Sequence, residues 1–204
     1  VHPLSAEAEL VFYLNLSGSR TVLTMDRFTS KFEHILPKTN LQTLILTDAD
    51  DALTGLKKAG YRLAQTMKGN RRKTGGLILR WSDFIARGRR YEGPARRPRA
   101  AGDEAAVLYS GGTSGKTKGI SLSNLNFNAL ALQTAAAGDC IVPGHMMMAV
   151  LPLFHGFGLG VCIHTALTHG CAALLVPQFS VDSFVELLRK HRPHYIAGVP
   201  TLFE

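Results

Sequence analysis

The chain has 204 residues, of which 46% are hydrophobic, and its formal net charge is +8. This length allows a sizeable buried core, and the lack of repeats or low-complexity tracts excludes fibrous and disordered classes. The three cysteines, Cys140, Cys162 and Cys171, are odd in number and form no C-x-x-C pair. Reduced core thiols in a cytoplasmic protein are the simplest interpretation of them.

Apolar periodicity predicts alternating helices and strands along the chain. In the first half we expect helices at 5–18, 26–36 and 51–67, and strands at 21–24 and 41–47. In the second half we expect strands at 105–109, 146–151, 171–176 and 194–199, and helices at 124–136, 158–168 and 182–191. This order predicts an α/β fold with two mostly parallel-sheet lobes flanked by helices, with domains at 1–100 and 101–204.

The positive charge is concentrated in one segment. Residues 68–99 contain eleven Lys or Arg and two acidic residues, so the rest of the chain is close to neutral. Glycines and prolines interrupt the arginines, and we interpret residues 86–102 as a solvated linker. A contact with phosphate, CoA or the surface of an anionic membrane is the alternative for this segment. Tyr91 is its only aromatic ring, which argues against nucleic-acid binding.

Residues 140–181 contain no Asp, Glu, Lys or Arg, a composition that also occurs in membrane-spanning helices. Pro143, Pro152 and Pro177 interrupt the segment, so two buried parallel strands flanking a buried helix fit better.

The same segment contains a cluster of potential metal ligands, namely Cys162, His164, His169 and Cys171. Zinc sites commonly include two ligands separated by two residues, and this spacing is missing here. We therefore expect core packing and no metal.

The sequence YSGGTSGKTKG at 109–119 has the residue types of a polyphosphate-binding loop. Glycines let backbone N–H groups converge, hydroxyls add donors, and lysines neutralise charge on oxygen. The apolar residues at 105–109 indicate a strand, so the loop is expected at a strand's carboxyl end, where open α/β sheets bind ligands. The Walker A loop of P-loop ATPases is the competing pattern, but its first glycine falls on Ser110.

A second candidate residue is His155. Residues 145–154 form an apolar run that enters a glycine-rich turn. His155 is therefore predicted to project at the carboxyl end of a strand, where ligands bind, and not from a core face.

Both segments resemble motifs of the adenylate-forming (AMP-binding) superfamily, of the acyl-CoA synthetase or long-chain fatty acid CoA ligase type. Residues 109–119 and Leu122, Ser123 and Asn126 are similar to Y-[ST]-S-G-T-[ST]-G-x-P-K-G-V followed by L-[ST]-H-x-N. Thr117 replaces the usual proline and Asn124 the usual histidine. Residues 152–159 are similar to P-[LM]-F-H-x-x-G-L. The similarity is strong from 105 to 203, looser from 1 to 50, and absent from about 60 to 100.

The resemblance implies an enzyme that joins a carboxylic acid to the α-phosphate of ATP, releases pyrophosphate, and passes the acyl group to CoA. It implies that Lys118 neutralises charge and that His155 orients the carboxylate, as the catalytic residues. It implies a phosphate-binding set made of Ser110, Gly111, Gly112, Thr113, Ser114, Gly115, Lys116 and Lys118. It implies an acyl pocket lined by Phe154, His155, Gly156, Phe157 and Gly198.

Amino-acid-activating members of this superfamily carry Asp where this chain has His155, so an acyl or aryl acid is favoured, and an apolar wall suits a fatty acid. The family's Y-G-x-T-E segment, which holds Mg²⁺, and its carboxy-terminal catalytic lysine domain do not occur in this sequence. We expect an internal fragment of the large N-terminal domain that binds ATP weakly and is inactive alone. The alternatives are a P-loop-like ATPase module and a non-catalytic domain that binds anionic surfaces.

Overall fold

The computed structural model describes residues 1–2, 4–67, 75–111, 117–138, 141–177 and 179–203. The chain divides into two compact units, Val1–Arg97 and Pro98–Glu204. Parallel sheets with helices occur in both units, so the predicted α/β class is confirmed. The assignment of domains to 1–100 and 101–204 stays a prediction.

The first unit is built on a parallel sheet of order β1-β2-β3. Its strands are β1 (Thr21–Met25), β2 (Thr43–Thr47) and β3 (Ile78–Arg80), and its helices are α1 (Glu7–Leu16), α2 (Thr29–Ile35), α3 (Gly55–Met67) and α4 (Trp81–Gly88). Short 3₁₀-helices occupy Asp26–Phe28, Leu36–Lys38 and Ala49–Asp51.

The core of this unit forms around the central strand β2. Leu44 and Leu46 are buried against Leu10 of α1 and Ile35 of α2. Ile45, which points to the other face of the sheet, is buried as well. A central parallel strand is covered on both faces, which explains why its sequence is an uninterrupted apolar run.

Helix α3 is attached to the first unit through polar contacts. The Tyr61 hydroxyl donates to Oδ1 of Asp48 at 2.9 Å. Nε of Arg62 donates to Oδ2 of Asp50 at 2.7 Å, and Asp50 is completely buried. Gln65 then donates to the Tyr61 hydroxyl at 2.8 Å. These bonds join the helix to the 3₁₀-turn that follows β2.

The apolar side chains of α3 lie on the side away from these bonds. Leu56, Leu63 and Met67 fall on one helical face and are 92%, 65% and 81% exposed. The helix thus presents polar residues to its own unit and apolar residues to the outside.

The second unit contains an antiparallel pair, β4-β5, and a parallel sheet of order β7-β6-β8. Its strands are β4 (Glu104–Gly111), β5 (Thr117–Ser123), β6 (Met146–Ala149), β7 (Ala172–Leu175) and β8 (Tyr195–Ile196). Its helices are α5 (Asn124–Gly138), α6 (Ala166–Thr168) and α7 (Val181–His191), with a π-helix at Gly158–Thr165 and a 3₁₀-helix at Pro200–Leu202.

Some elements differ from the sequence-based expectation. The predictions omitted β3, α4 and β5. Residues 86–88 belong to α4, and no helix or strand occurs from 92 to 103. The helix expected at 158–168 is a π-helix that passes into α6. The phosphate loop was expected in a parallel sheet, but β4 pairs antiparallel with β5, because the five residues 112–116 between them are too few for a parallel crossover.

In the described part of the uncharged segment 140–181, β6 and β7 pair in parallel as predicted, with the π-helix between them in sequence. Only β6 is largely buried; β7 is an edge strand, so Ala172 and Leu175 are exposed, unlike the prediction of two buried strands. Cys162 and Cys171 are free and buried, while Cys140 lies outside the described residues. His164 contacts Oδ1 of Asn128 at 3.0 Å, and His169 contacts the Thr165 carbonyl. No helix in the described ranges combines the length and apolarity needed to cross a membrane.

We predict that Arg62→Ala lowers the free energy of unfolding by about 2 kcal/mol, because the fully buried Asp50 loses its ion pair with Arg62. Asp50→Asn should cost less, about 1 kcal/mol, because it leaves no buried charge. Urea unfolding measures both values. Lys57→Ala, on the same helix, is the control and should change stability by less than about 0.5 kcal/mol. An Arg62→Ala protein as stable as this control would contradict the prediction.

Burial raises the pKa of the Cys162 thiol, and a backbone hydrogen bond at Leu151 opposes this shift less strongly. Over a range of alkaline pH, the thiol therefore stays neutral in the folded chain but is ionised in the unfolded chain. Stability from this group is complete below the unfolded pKa, about 8.5, and falls as the pH rises above it. We predict that Cys162→Ala reduces the decrease in the free energy of unfolding, measured with urea, between neutral and alkaline pH. An unchanged pH slope would show that the thiol does not contribute.

Candidate active site

The described ends of the phosphate-loop segment belong to the paired strands β4 and β5, called the hairpin below. Ser110 pairs directly with Lys118, and both side chains are exposed. Directly opposed residues of an antiparallel pair lie on the same face of the hairpin, with Cβ atoms about 5 Å apart. The hairpin therefore places one hydroxyl and one ammonium group side by side where the strands lead into residues 112–116.

The base of the hairpin is fixed to helix α5. Oδ1 of Asn126 accepts from the backbone N–H of Ser123 at 2.9 Å, and the Ser123 hydroxyl accepts from the Asn126 N–H at 3.2 Å. This reciprocal bonding satisfies donors at the helix start, as in a capping box. Asn124, which replaces the usual histidine, donates its side-chain amide to the Ala100 carbonyl at 2.9 Å. The substitution therefore leaves the helix start intact.

His155 lies in the turn that leads from β6 to the π-helix, and its side chain is exposed. Its backbone N–H donates to the Pro152 carbonyl at 3.1 Å, and its carbonyl accepts from Leu159 at 3.0 Å. Nδ1 of the ring accepts from the Phe157 N–H at 3.3 Å. In the neutral ring this leaves the proton on Nε2, which becomes the outward hydrogen-bond donor.

Close backbone packing holds the turn around His155 in place. A Cβ built on Gly158 would overlap the carbonyl oxygen of Pro152, and one built on Gly160 would lie 2.5 Å from Cδ2 of Leu130 in α5. Within the π-helix, the buried Thr165 hydroxyl donates to the Gly160 carbonyl at 3.0 Å. The turn is thus packed against its own preceding strand end and against α5.

The His155 turn contacts the hairpin. A Cβ built on Gly156 would lie 3.4 Å from Cδ1 of Leu108 in β4. Leu108 and Ser110 are two residues apart in one strand, so they share a face, about 7 Å apart. The turn therefore packs on the face of the hairpin that carries Ser110 and Lys118.

Gly198 leaves the sheet at the same edge as the His155 turn. Met148 of β6 pairs in parallel with Ile196 of β8, so both strands point their carboxyl ends in one direction. Gly198 follows β8 and lies close to Leu202 and Phe203. A side chain at this position would meet a methyl group of Leu202 and the ring of Phe203.

Most of the predicted site residues can be placed in the structure. Ser110, Gly111 and Lys118 end the hairpin strands, and Phe154, His155, Gly156 and Phe157 form the turn that packs on it. Phe154 and Phe157 are 42% and 39% exposed. The predicted phosphate-binding residues Gly112, Thr113, Ser114, Gly115 and Lys116 lie outside the described residues. Among the residues that are described, no three His, Cys, Asp or Glu side chains are grouped as a metal site.

Ser123 and Gly158 belong to the two motifs and Leu108 to the predicted strand, but sequence reasoning assigned none of the three a role in positioning the site. The S-x-x-N spacing before an apolar helix was a readable signal for the Ser123 cap. Leu108 and Gly158 act through contacts with residues distant in sequence or with backbone atoms, and no local pattern indicates such contacts.

The family model of the AMP-binding enzymes matches residues 1–204. A phosphate-loop hairpin against which a histidine turn packs, within an α/β fold, is consistent with that class. This chain belongs to the AMP-binding enzyme family.

Curated relatives match all or part of the chain. A long-chain-fatty-acid–CoA ligase of Haemophilus influenzae is 28% identical over 213 residues, which cover 100% of this chain and 37% of that protein. One from Escherichia coli O157:H7 is 30% identical over 211 residues, again covering 100% and 37%. The 4-coumarate–CoA ligase 1 of Solanum tuberosum is 33% identical over 93 residues, 44% of this chain and 17% of that one. The chain spans little more than a third of the length of the fatty-acid ligases.

Solved structures share the fold. ATP-bound MatB from Rhodopseudomonas palustris superposes with a TM-score of 0.69 and 22% identity, covering 98% of this chain and 34% of that one. The N-terminal domain of FACL13 from Mycobacterium tuberculosis gives a TM-score of 0.68 and 18% identity, covering 98% and 43%. At these identities the likeness establishes the fold alone.

We predict that Gly158→Ala lowers the free energy of unfolding by about 1 to 3 kcal/mol, since its methyl group would displace the Pro152 carbonyl. Gly160→Ala is the matched control in the same helix. It should cost less, because the atom that its methyl meets is the mobile end of the Leu130 side chain. Urea unfolding compares them. Equal effects of the two substitutions would show that the Pro152 contact does not constrain the turn.

Proposed function

We propose that this chain is part of an AMP-forming acyl-CoA synthetase that activates a carboxylic acid as its acyl adenylate. The observation that carries the proposal is the packing of Gly156 on Leu108, on the hairpin face that presents Ser110 and Lys118. This packing brings the segment proposed to bind the triphosphate next to the segment proposed to bind the acid. Attack of a carboxylate on a phosphorus atom requires those two groups to be neighbours.

In this proposal, Lys118 and Ser110 bind phosphate oxygens together with the loop 111–116. An ammonium group beside a hydroxyl supplies charge and a donor, and charge-assisted hydrogen bonds are the stronger kind. Displacement at the α-phosphorus builds negative charge on the departing pyrophosphate, so cations placed there stabilise the transition state.

His155 is proposed to orient the acid. Its Nδ1 is engaged by the Phe157 N–H, so the neutral ring offers Nε2–H to a carboxylate oxygen. A donor in that position fixes the direction of the second oxygen, which attacks the α-phosphorus. The residue thus acts by positioning the nucleophile and not by removing a proton, because a carboxylate has none to lose.

The acid is proposed to be a fatty acid. Phe154 and Phe157 flank His155 and present apolar rings at the surface of the turn. The family relatives that match over the whole chain are named long-chain-fatty-acid–CoA ligases. The second half-reaction, attack of the CoA thiol on the acyl adenylate with loss of AMP, and the Mg²⁺ ion that accompanies ATP are proposed to use residues outside this chain.

We predict that Lys118→Ala weakens ATP binding by this chain at least about tenfold, because one charge-assisted contact is lost. Isothermal titration or a fluorescent ATP analogue measures the affinity. Lys57→Ala, another exposed lysine removed from the hairpin in sequence, is the control and should leave the affinity unchanged. Equal affinities of the two variants would remove Lys118 from the site.

His155→Ala should separate the two parts of the site. ATP affinity should stay the same, while affinity for a dodecanoyl sulfamoyl-adenosine, a stable acyl-adenylate mimic, should fall about tenfold. A variant that loses both ligands equally would indicate a structural role for His155. A chain that binds ATP but not the mimic would argue for a simple nucleotide-binding module.

A further inference from the structure

Residues 87–97, called the arginine arm below, are the most strongly charged exposed segment among the described residues of the first unit. It contains five arginines and one acidic residue, Glu92. It begins with the last turn of α4, where Arg89 donates its backbone N–H to Ile85 and Arg90 donates to Arg87. Every residue from 82 to 102 is exposed.

The guanidinium groups of the arm are not paired with carboxylates of the described residues. The two ion pairs found in that part of the chain join His34 to Glu7 and Arg62 to Asp50. Uncompensated positive charge on one short segment attracts anions, and the energy of that attraction is not offset by existing contacts.

The arrangement fits an extended anionic surface better than a single bound phosphate. A phosphate site needs donors that converge and are held in place, but Arg96 and Arg97 lie on a stretch of backbone without helix or strand. A charged lipid surface makes no such demand, since each cation near it contributes almost independently.

Nucleic acid fits less well. Single-stranded nucleic acids need exposed aromatic faces on which bases stack. Tyr91 is the only ring in the arm, and it is 61% exposed. A single ring provides no series of faces on which successive bases could stack.

We propose that the arginine arm docks this protein on the surface of anionic phospholipid bilayers. The contact is peripheral and electrostatic, and it is independent of the reaction proposed above. Because exposed charges are screened by salt, binding weakens as the ionic strength rises.

The test is sedimentation of the full 204-residue chain with vesicles of phosphatidylcholine, with and without phosphatidylglycerol. We expect binding only to the vesicles that contain phosphatidylglycerol, and release at high salt. Arg89→Gln with Arg90→Gln should lower the partition coefficient about 25-fold, at about fivefold for each cation removed. Arg89→Lys with Arg90→Lys retains the charge and should bind like the parent chain.

The matched control is Lys57→Gln with Lys58→Gln, which removes the same charge from α3 of the same unit. It should retain most of the binding. An equal loss in both double variants would mean that net charge alone drives binding and would overturn the proposal. So would the lack of binding to phosphatidylglycerol at low salt. Displacement from vesicles by CoA, or tighter binding to duplex DNA that depends on Arg89 and Arg90, would overturn it in favour of those ligands.

Discussion

The antiparallel pairing of β4 with β5 is the constraint on which the candidate site depends. It sets Ser110 opposite Lys118, and strand alternation then puts Leu108 on the same face. A slip of one residue in this register would turn Ser110 away from Lys118 and Leu108 away from Gly156. The Ser123 and Asn126 cap anchors the end of β5 to a helix, which opposes such a slip.

The parallel sheet β7-β6-β8 supplies the second constraint. Parallel strands end at the same edge of the sheet. The turns after β6 and β8 therefore lie at one edge because of the strand pairing itself, and no additional contact is needed to place them there. Met147, Met148 and Ala149 of β6 are buried, so the strand that carries the His155 turn is firmly packed. Rigid strands at the base and exposed turns at the edge are a suitable basis for a precise site.

The sequence predicted those parts of the fold whose apolar residues are numerous and regular. The run at 41–47 indicated β2 because both faces of that strand are buried, and the uncharged segment 140–181 indicated the buried strand β6 for the same reason. The edge strand β7 was indicated by its short apolar run, although Leu175 is exposed. The site residues could be named from motifs alone, since the phosphate loop and the His155 turn are each local in sequence. Their assignment to roles stays a prediction.

Other features could not be read from local patterns, or were hidden by composition. Trp81, Phe84 and Ile85 have the spacing of a helix. Because arginines surround them, the segment was interpreted by its charge and helix α4 was not predicted. Strand β5 was missed because Lys118 and Gly119 weaken its alternation. The bond between Arg62 and Asp50 joins residues twelve positions apart. It contributes to stability because Asp50 is buried, and this burial exists only in the folded chain.

The π-helix at Gly158–Thr165 has a consequence for how relatives of this chain can vary in length. A π-helix holds about one residue more in each turn than an α-helix over a similar rise. Losing one residue there would let one turn wind as an ordinary α-helix while the turn still closes, so the preceding backbone would keep its direction. A relative can therefore lose one residue in this segment without changing the direction in which His155 faces.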